Sequence, residues 1–158
     1  MSELTQITRR LAEARVEFVV VGGLATILHG AALMTRDVDV VCDMSPENLL
    51  RVWDTVADVH PVHRMTPGRL PFTREQAQEG KLGNLYLSTD WGLLDLLGEV
   101  KGIGGYPECL KSSEVIPVGG AEIRVLTLDA LIVAKRAMGR PRDLNAVLEL
   151  EVIRERKR

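Results

Sequence analysis

The sequence predicts an α/β domain of the α+β kind, a mixed and partly antiparallel sheet flanked by helices. Three observations lead there. The chain has 158 residues, and at roughly 150 residues per domain this is one unit spanning residues 1–158. Its first half alternates short apolar runs with helical patterns. Its second half holds two strand pairs on tight turns, which need antiparallel neighbours. That order does not suit a doubly wound nucleotide fold.

Each element has its own warrant. Ser2 is placed to cap a first helix reaching about Arg15, with Ile7 and Leu11 on one face. Residues 18–21 (FVVV) are a continuous apolar run, the mark of a strand buried on both faces, and Gly22-Gly23 break it. A short helix over 24–29 ends at Gly30, and residues 37–42 alternate carboxylate and apolar side chains as a second strand. Ser45-Pro46 is a cap and first-turn pair for a helix to about Val59. Residues 60–81 contain three prolines and only a weak helical signal at 73–80, so a substrate loop or lid is expected there. Strands at 82–87 and 91–97 follow, then a hairpin over 114–125 folded at Gly119-Gly120. Thr127 caps a helix to Met138, Gly139 ends it, and Pro141 opens a last helix; these C-terminal helices, 127–156, are expected to pack on the sheet.

Composition removes several function classes. The chain is 46% hydrophobic and 27% charged, close to globular averages, so neither disorder nor a fibrous repeat fits. A net charge of -2 excludes a general polycation for nucleic acid. From Lys135 onward eight Lys and Arg face four Asp and Glu, a local +4 that leaves -6 for residues 1–134. A basic end beside an acidic pocket suits a triphosphate, and RNA as well, although six aromatic residues offer little for stacking single strands. The longest apolar stretch, 18–28, is far short of the roughly 20 residues of a membrane span. The first 15 residues lack a secretory core, so the cytoplasm is the expected location and no membrane partner is expected. Cys42 and Cys109 lie 67 positions apart, as buried or inert thiols. His60 and His63 have no further Cys or His to complete a zinc shell.

The carboxylates are out of place. In the 37–42 strand, Asp37 and Asp39 share a face, about 6–7 Å apart along the backbone, while Val38, Val40 and Cys42 face the other way. Two ionised carboxylates between apolar runs repel each other unless a cation neutralises them, and Mg²⁺ takes a few carboxylate oxygens together with substrate phosphates. Asp95 has only apolar neighbours in its strand, which calls for a partner or a raised pKa. Lys135 lies in the middle of the stripe formed by Leu128, Leu131, Ile132 and Met138, where a charge is either needed or snorkels to water. Arg136, Arg140 and Arg142 read as solvated or phosphate-steering. Asp143 reads as a helix cap or an arginine partner, and His29 either as a hydrogen-bonding group near the nucleotide or, on the favoured reading, as a histidine that only satisfies backbone groups.

The run VVVGGLATILHGAALMTRDVDVV resembles the signature of the DNA polymerase beta-like nucleotidyltransferase superfamily: a hydrophobic strand, Gly-Gly, a spacer, then Asp-hydrophobic-Asp. The spacer here is 13 residues. The segments TLDALIVAK and GRPRDL are similar to the tail of small bacterial nucleotidyltransferase-like proteins, including abortive-infection-type toxins. The resemblance implies a palm-like fold. It further implies Asp37, Asp39 and Asp95 as metal ligands, and Gly22, Gly23, Thr35, Arg36, Lys135 and Asp143 in the nucleotide site. One departure is Leu33, where many relatives carry a basic residue; either that phosphate contact is missing or Arg36 supplies it.

The expected function is metal-dependent transfer of a nucleoside monophosphate from an NTP to a hydroxyl acceptor, with Asp37, Asp39, Asp95 and Lys135 catalytic. Two Mg²⁺ ions are expected, with Mn²⁺ as a substitute. The acceptor is left open among a small molecule, a tRNA end and a protein hydroxyl. A homodimer is among the expected states, because a one-domain transferase has room to complete its cleft with a second copy. The alternative from another class is an inactive domain of the same fold that binds or regulates a partner, for instance within a toxin-antitoxin pair.

Overall fold

The computed structural model of the protein describes residues 3–158, so the predicted Ser2 cap lies outside the described residues. Helix α1 (Glu3–Glu13) buries Ile7 and Leu11 and leads to β1 (Phe18–Val21), all four residues of which are buried. Next come α2 (Gly22–Leu28), β2 (Asp37–Cys42), α3 (Pro46–Val56), β3 (Val62–His63), α4 (Arg74–Glu79), β4 (Asn84–Thr89) and β5 (Gly92–Leu97). The remainder comprises β6 (Glu99–Val100), β7 (Gly104–Gly105), α5 (Tyr106–Lys111), β8 (Ser113–Val118), β9 (Ala121–Leu126), α6 (Leu128–Met138) and α7 (Pro141–Arg156).

Seven strands form one mixed sheet in the order β3-β4-β5-β2-β1-β9-β8, and β6 and β7 form a separate ribbon. The β1–β2, β3–β4, β4–β5 and β8–β9 pairs are antiparallel, whereas β2–β5 and β1–β9 are parallel. The mixed, partly antiparallel sheet flanked by helices is thus the observed architecture. Helix α1 lies against β2, β8, β9 and α3, α5 lies against β1, β2 and β9, and α2 joins β1 and β2 to α6, which carries α7. One apolar cluster runs from Leu11 through Val20, Val40 and Leu96 to Leu131 and Leu150. Among the described residues no helix is long and apolar enough to cross a membrane.

Where boundaries differ from the sequence reading, local chemistry explains the shift. Gly22 has φ +66°, so the chain turns at this residue and α2 starts on the glycines instead of two residues later. The Thr89 hydroxyl accepts from Trp91 N at 3.1 Å and donates to Gly92 O at 2.8 Å. This tightens the β4–β5 turn and carries β4 beyond the predicted Leu87. Gly119 and Gly120 have φ +58° and +85°, the two positive values a type I′ hairpin turn demands. Met138 is 43% exposed and is not part of the buried stripe on α6. The irregular stretch is more ordered than its prolines suggest: Thr73 and Gln76 make a capping box for α4, and β3 pairs with β4.

Candidate active site

Sheet register assembles the site. Val21 lies opposite Asp39, Asp39 opposite Asp95, and Asp95 opposite Tyr86. Directly paired residues share a face, so one row crosses β1, β2, β5 and β4. Asp37 enters the same face from two residues upstream. The result is one carboxylate oxygen each from Asp37, Asp39 and Asp95, all within 4.8 Å of one another. Val38 and Val40, on the opposite face of β2, are fully buried and hold the strand in this register.

Gly22 borders the carboxylates closely. A Cβ placed there would come 2.4 Å from Asp39 Oδ2, well inside van der Waals contact, and the positive φ penalises any side chain as well. At Gly23 a Cβ would come 3.2 Å from Thr35 Oγ1. Thr35 in turn accepts from the Asp37 backbone N–H at 3.2 Å, bracing the start of β2.

The electrostatics are those of a cluster short of positive charge. Burial and the neighbouring Asp37 charge raise the pKa of Asp39, opposed by a hydrogen bond from Asp95 and by Arg64 and Lys135. Burial pushes Asp95 up to about 7 against the pull of Arg64, with the Asp39 and Asp37 charges adding to the rise. Arg64 pairs with Asp95 through both nitrogens: Nη1 to Oδ1 at 2.7 Å and Nη2 to Oδ2 at 2.8 Å. Its backbone N–H donates to Tyr86 O at 3.1 Å, and its guanidinium lies 5.3 Å from the Tyr86 ring centroid. Sequence reasoning missed Arg64. The lone Asp95 signalled a missing cation, but nothing singled out Arg64 among the basic residues of the 60–81 stretch.

A cavity of about 860 Å³ opens beside the acids, with Gly22 and Asp39 at one side and Val100, Lys135, Met138 and Arg140 among its other walls. Its volume is within the range of small-molecule sites. Asp143 is 1% exposed and does not line this cavity. It stands behind the wall, accepting from Arg140 Nε at 2.5 Å and from the Arg140 backbone N–H at 3.2 Å, with Lys135 Nζ 3.7 Å away. The Arg140 hydrogen bond and charge hold its pKa down. Asp143 therefore caps α7 and orients two cations; its contact with a nucleotide would be indirect. Arg36 and Thr35 border a different depression, with Trp91 and Leu93.

The remaining candidates have structural partners. His29 Nε2 is 2.7 Å from Leu126 O, His60 pairs with Asp90, and His63 with Gln76, so the two neighbouring histidines diverge. Burial raises the Cys42 thiol to about 12 and the Cys109 thiol to about 11, values that leave both protonated and unreactive at neutral pH.

The carboxylate cluster fits a hard divalent cation. Its donors are all carboxylate oxygens, without thiolate or imidazole. A spread of 4.8 Å closes around an ion with metal–oxygen distances of roughly 2.1–2.4 Å after small side-chain rotations. Burial first, and the neighbouring carboxylates after it, raise the pKa values of Asp39 and Asp95, and a bound cation would favour their charged forms.

Neither a family model nor a curated protein matches the sequence. A solved structure from Thermotoga maritima, described as a “putative nucleotidyltransferase”, aligns over 94% of this chain and 86% of that one with a TM-score of 0.54 at 19% identity. The chain has a nucleotidyltransferase-like fold. In that fold the carboxylates, the glycine turn and the cavity adjoin one another at the middle of the sheet, where β1 and β2 meet.

Proposed function

We propose that the protein is a metal-dependent nucleotidyltransferase, moving a nucleoside monophosphate from an NTP onto a hydroxyl acceptor. The observation that carries this reading is the convergence of Asp37, Asp39 and Asp95 beside a cavity whose other walls carry Lys135 and Arg140. Asp37 and Asp39, with an oxygen of Asp95, would hold Mg²⁺ or Mn²⁺, which when bound supplies positive charge to the triphosphate oxygens. The missing side chains of Gly22 and Gly23 give room to Asp39 and Thr35, and Gly22, which lines the cavity, would present its backbone to the phosphates. Lys135 and Arg140, held by Asp143, would bind triphosphate oxygens and offset charge developing on the leaving group.

The acceptor oxygen attacks the α-phosphorus, the bond from that phosphorus to the bridging oxygen breaks, and pyrophosphate leaves. The acceptor proton passes to an oxygen of Asp95. Both of its oxygens use one lone pair for Arg64; the oxygen on the metal would use its other lone pair there, and the second oxygen would keep its own for this proton. Positioning supplies most of the rate enhancement.

Calorimetry with ATP, CTP, GTP and UTP, each with Mg²⁺ and with chelator, tests the reading. Binding of at least one nucleotide should need the metal and vanish in Asp39→Asn. Label from that nucleotide should then pass to a component of cell extract, which identifies the acceptor class. Binding unaffected by chelator, or no binding at all, would instead make this a nucleotidyltransferase-like fold used as a regulatory module.

A further inference from the structure

We infer that Arg64 takes the place of a second metal ion, so that the carboxylate cluster holds one divalent cation. This rests on the metal-dependent reading above and departs from the two ions expected from the sequence. In two-metal sites the ions lie roughly 3.5–4 Å apart and share the carboxylates between them. Here the outer side of Asp95 is filled by a guanidinium, 2.7 and 2.8 Å from its two oxygens.

Arg64 is not a loose surface side chain that an ion displaces at little cost. Its side chain is 21% exposed and the Asp95 side chain 10%. Its backbone is tied to Tyr86 O, one residue beyond the β3–β4 ladder, and its guanidinium lies over the Tyr86 ring. The bidentate fork matches a carboxylate in a way a single ammonium does not. Charge points the same way. Three carboxylates and one guanidinium leave two negative charges, the complement of a single divalent ion. Arg64 thus acts as a positioning residue: it neutralises Asp95 in part and fixes the orientation of the oxygens that receive the acceptor proton.

The test is Mn²⁺ titration without nucleotide, with free Mn²⁺ followed by electron paramagnetic resonance. Wild type is expected to bind one ion per chain. Arg64→Gln is expected to bind two, with the broadened spectrum of a coupled pair, whereas Arg64→Lys, which keeps the charge, should still bind one. Asp39→Asn should bind none. Two ions on the wild type, or one on Arg64→Gln, would overturn the inference while leaving the metal reading intact; no ion on the wild type would sink both. Circular dichroism checks each fold. If Arg64→Gln does not fold, Arg64→Met provides the uncharged side chain, and a count of two on the wild type or on Arg64→Lys remains decisive against the inference.

Discussion

Replacing Asp39 with Asn should make the metal-free protein more stable at pH 8. Asp39 and Asp95 present oxygens within 4.8 Å of each other. At 4.8 Å, the upper bound of that spread, two unit charges repel by about 3.5 kcal/mol at an effective dielectric constant of about 20, and by about 0.9 kcal/mol in bulk water. The substitution removes this repulsion and that with Asp37. It also gives up the attraction of Asp39 to Arg64 and Lys135, so the net gain should be about 1–2 kcal/mol, or a rise in Tm of about 3–6 °C for a domain of this size. The size of the gain depends on pH. Asp95 has a folded pKa of about 7, so at pH 8 it is charged and repels Asp39, whereas at pH 5 it carries a proton and the repulsion is gone. Thermal denaturation of both proteins in chelator, at pH 8 and pH 5, should show a gain at the first pH that shrinks at the second. An Asn variant no more stable than wild type at pH 8, or one with equal gains at both pH values, would refute the electrostatic reasoning.

Gly22→Ala should destabilise by about 1–3 kcal/mol, through the positive φ and the clash with Asp39 Oδ2, and should weaken Mn²⁺ binding; a melting curve and an ion titration check it together. The wild type in chelator should lose stability as pH rises from about 4 to about 7. The folded pKa of Asp95, about 7, exceeds the ordinary unfolded value near 3.9, so across that window the folded state binds the extra proton, with an upper limit of about 4 kcal/mol. Saturating Mg²⁺ should flatten this dependence, as measured by urea midpoints at each pH. Asp143→Asn should cost about 1–2 kcal/mol in capping and pairing with the partly exposed Arg140. It should also weaken Mg²⁺–NTP binding by loosening Lys135, which calorimetry reads directly.

The legible parts of this protein are those where one local constraint decides the outcome. Phe18–Val21 is buried throughout because a four-residue β-branched and aromatic run ending in glycines has no polar face to expose. Asp37 and Asp39 could be placed on one face by the strand period alone, and Asp95 stood out against its apolar neighbours. Some short elements were not legible: the two-residue strands β3, β6 and β7 are too short to show an alternation, and the six-residue α5 makes less than two helical turns, its start marked only by Pro107 in its first turn.

Arg64 shows why part of the site was hidden as well. A carboxylate isolated among leucines states a need for positive charge, and a metal ion and a guanidinium both meet it. Which one does so depends on the register of β3 on β4, set by pairs such as His63 with Leu87 across some two dozen residues of intervening chain. That pairing brings Arg64 level with Tyr86, and Tyr86 is opposite Asp95. A one-residue slip would turn Arg64 to the other face and leave Asp95 without its cation. On the one-ion inference, the ion count of the cluster would therefore be decided at the sheet edge, by a two-residue strand whose sequence carries no catalytic signature of its own.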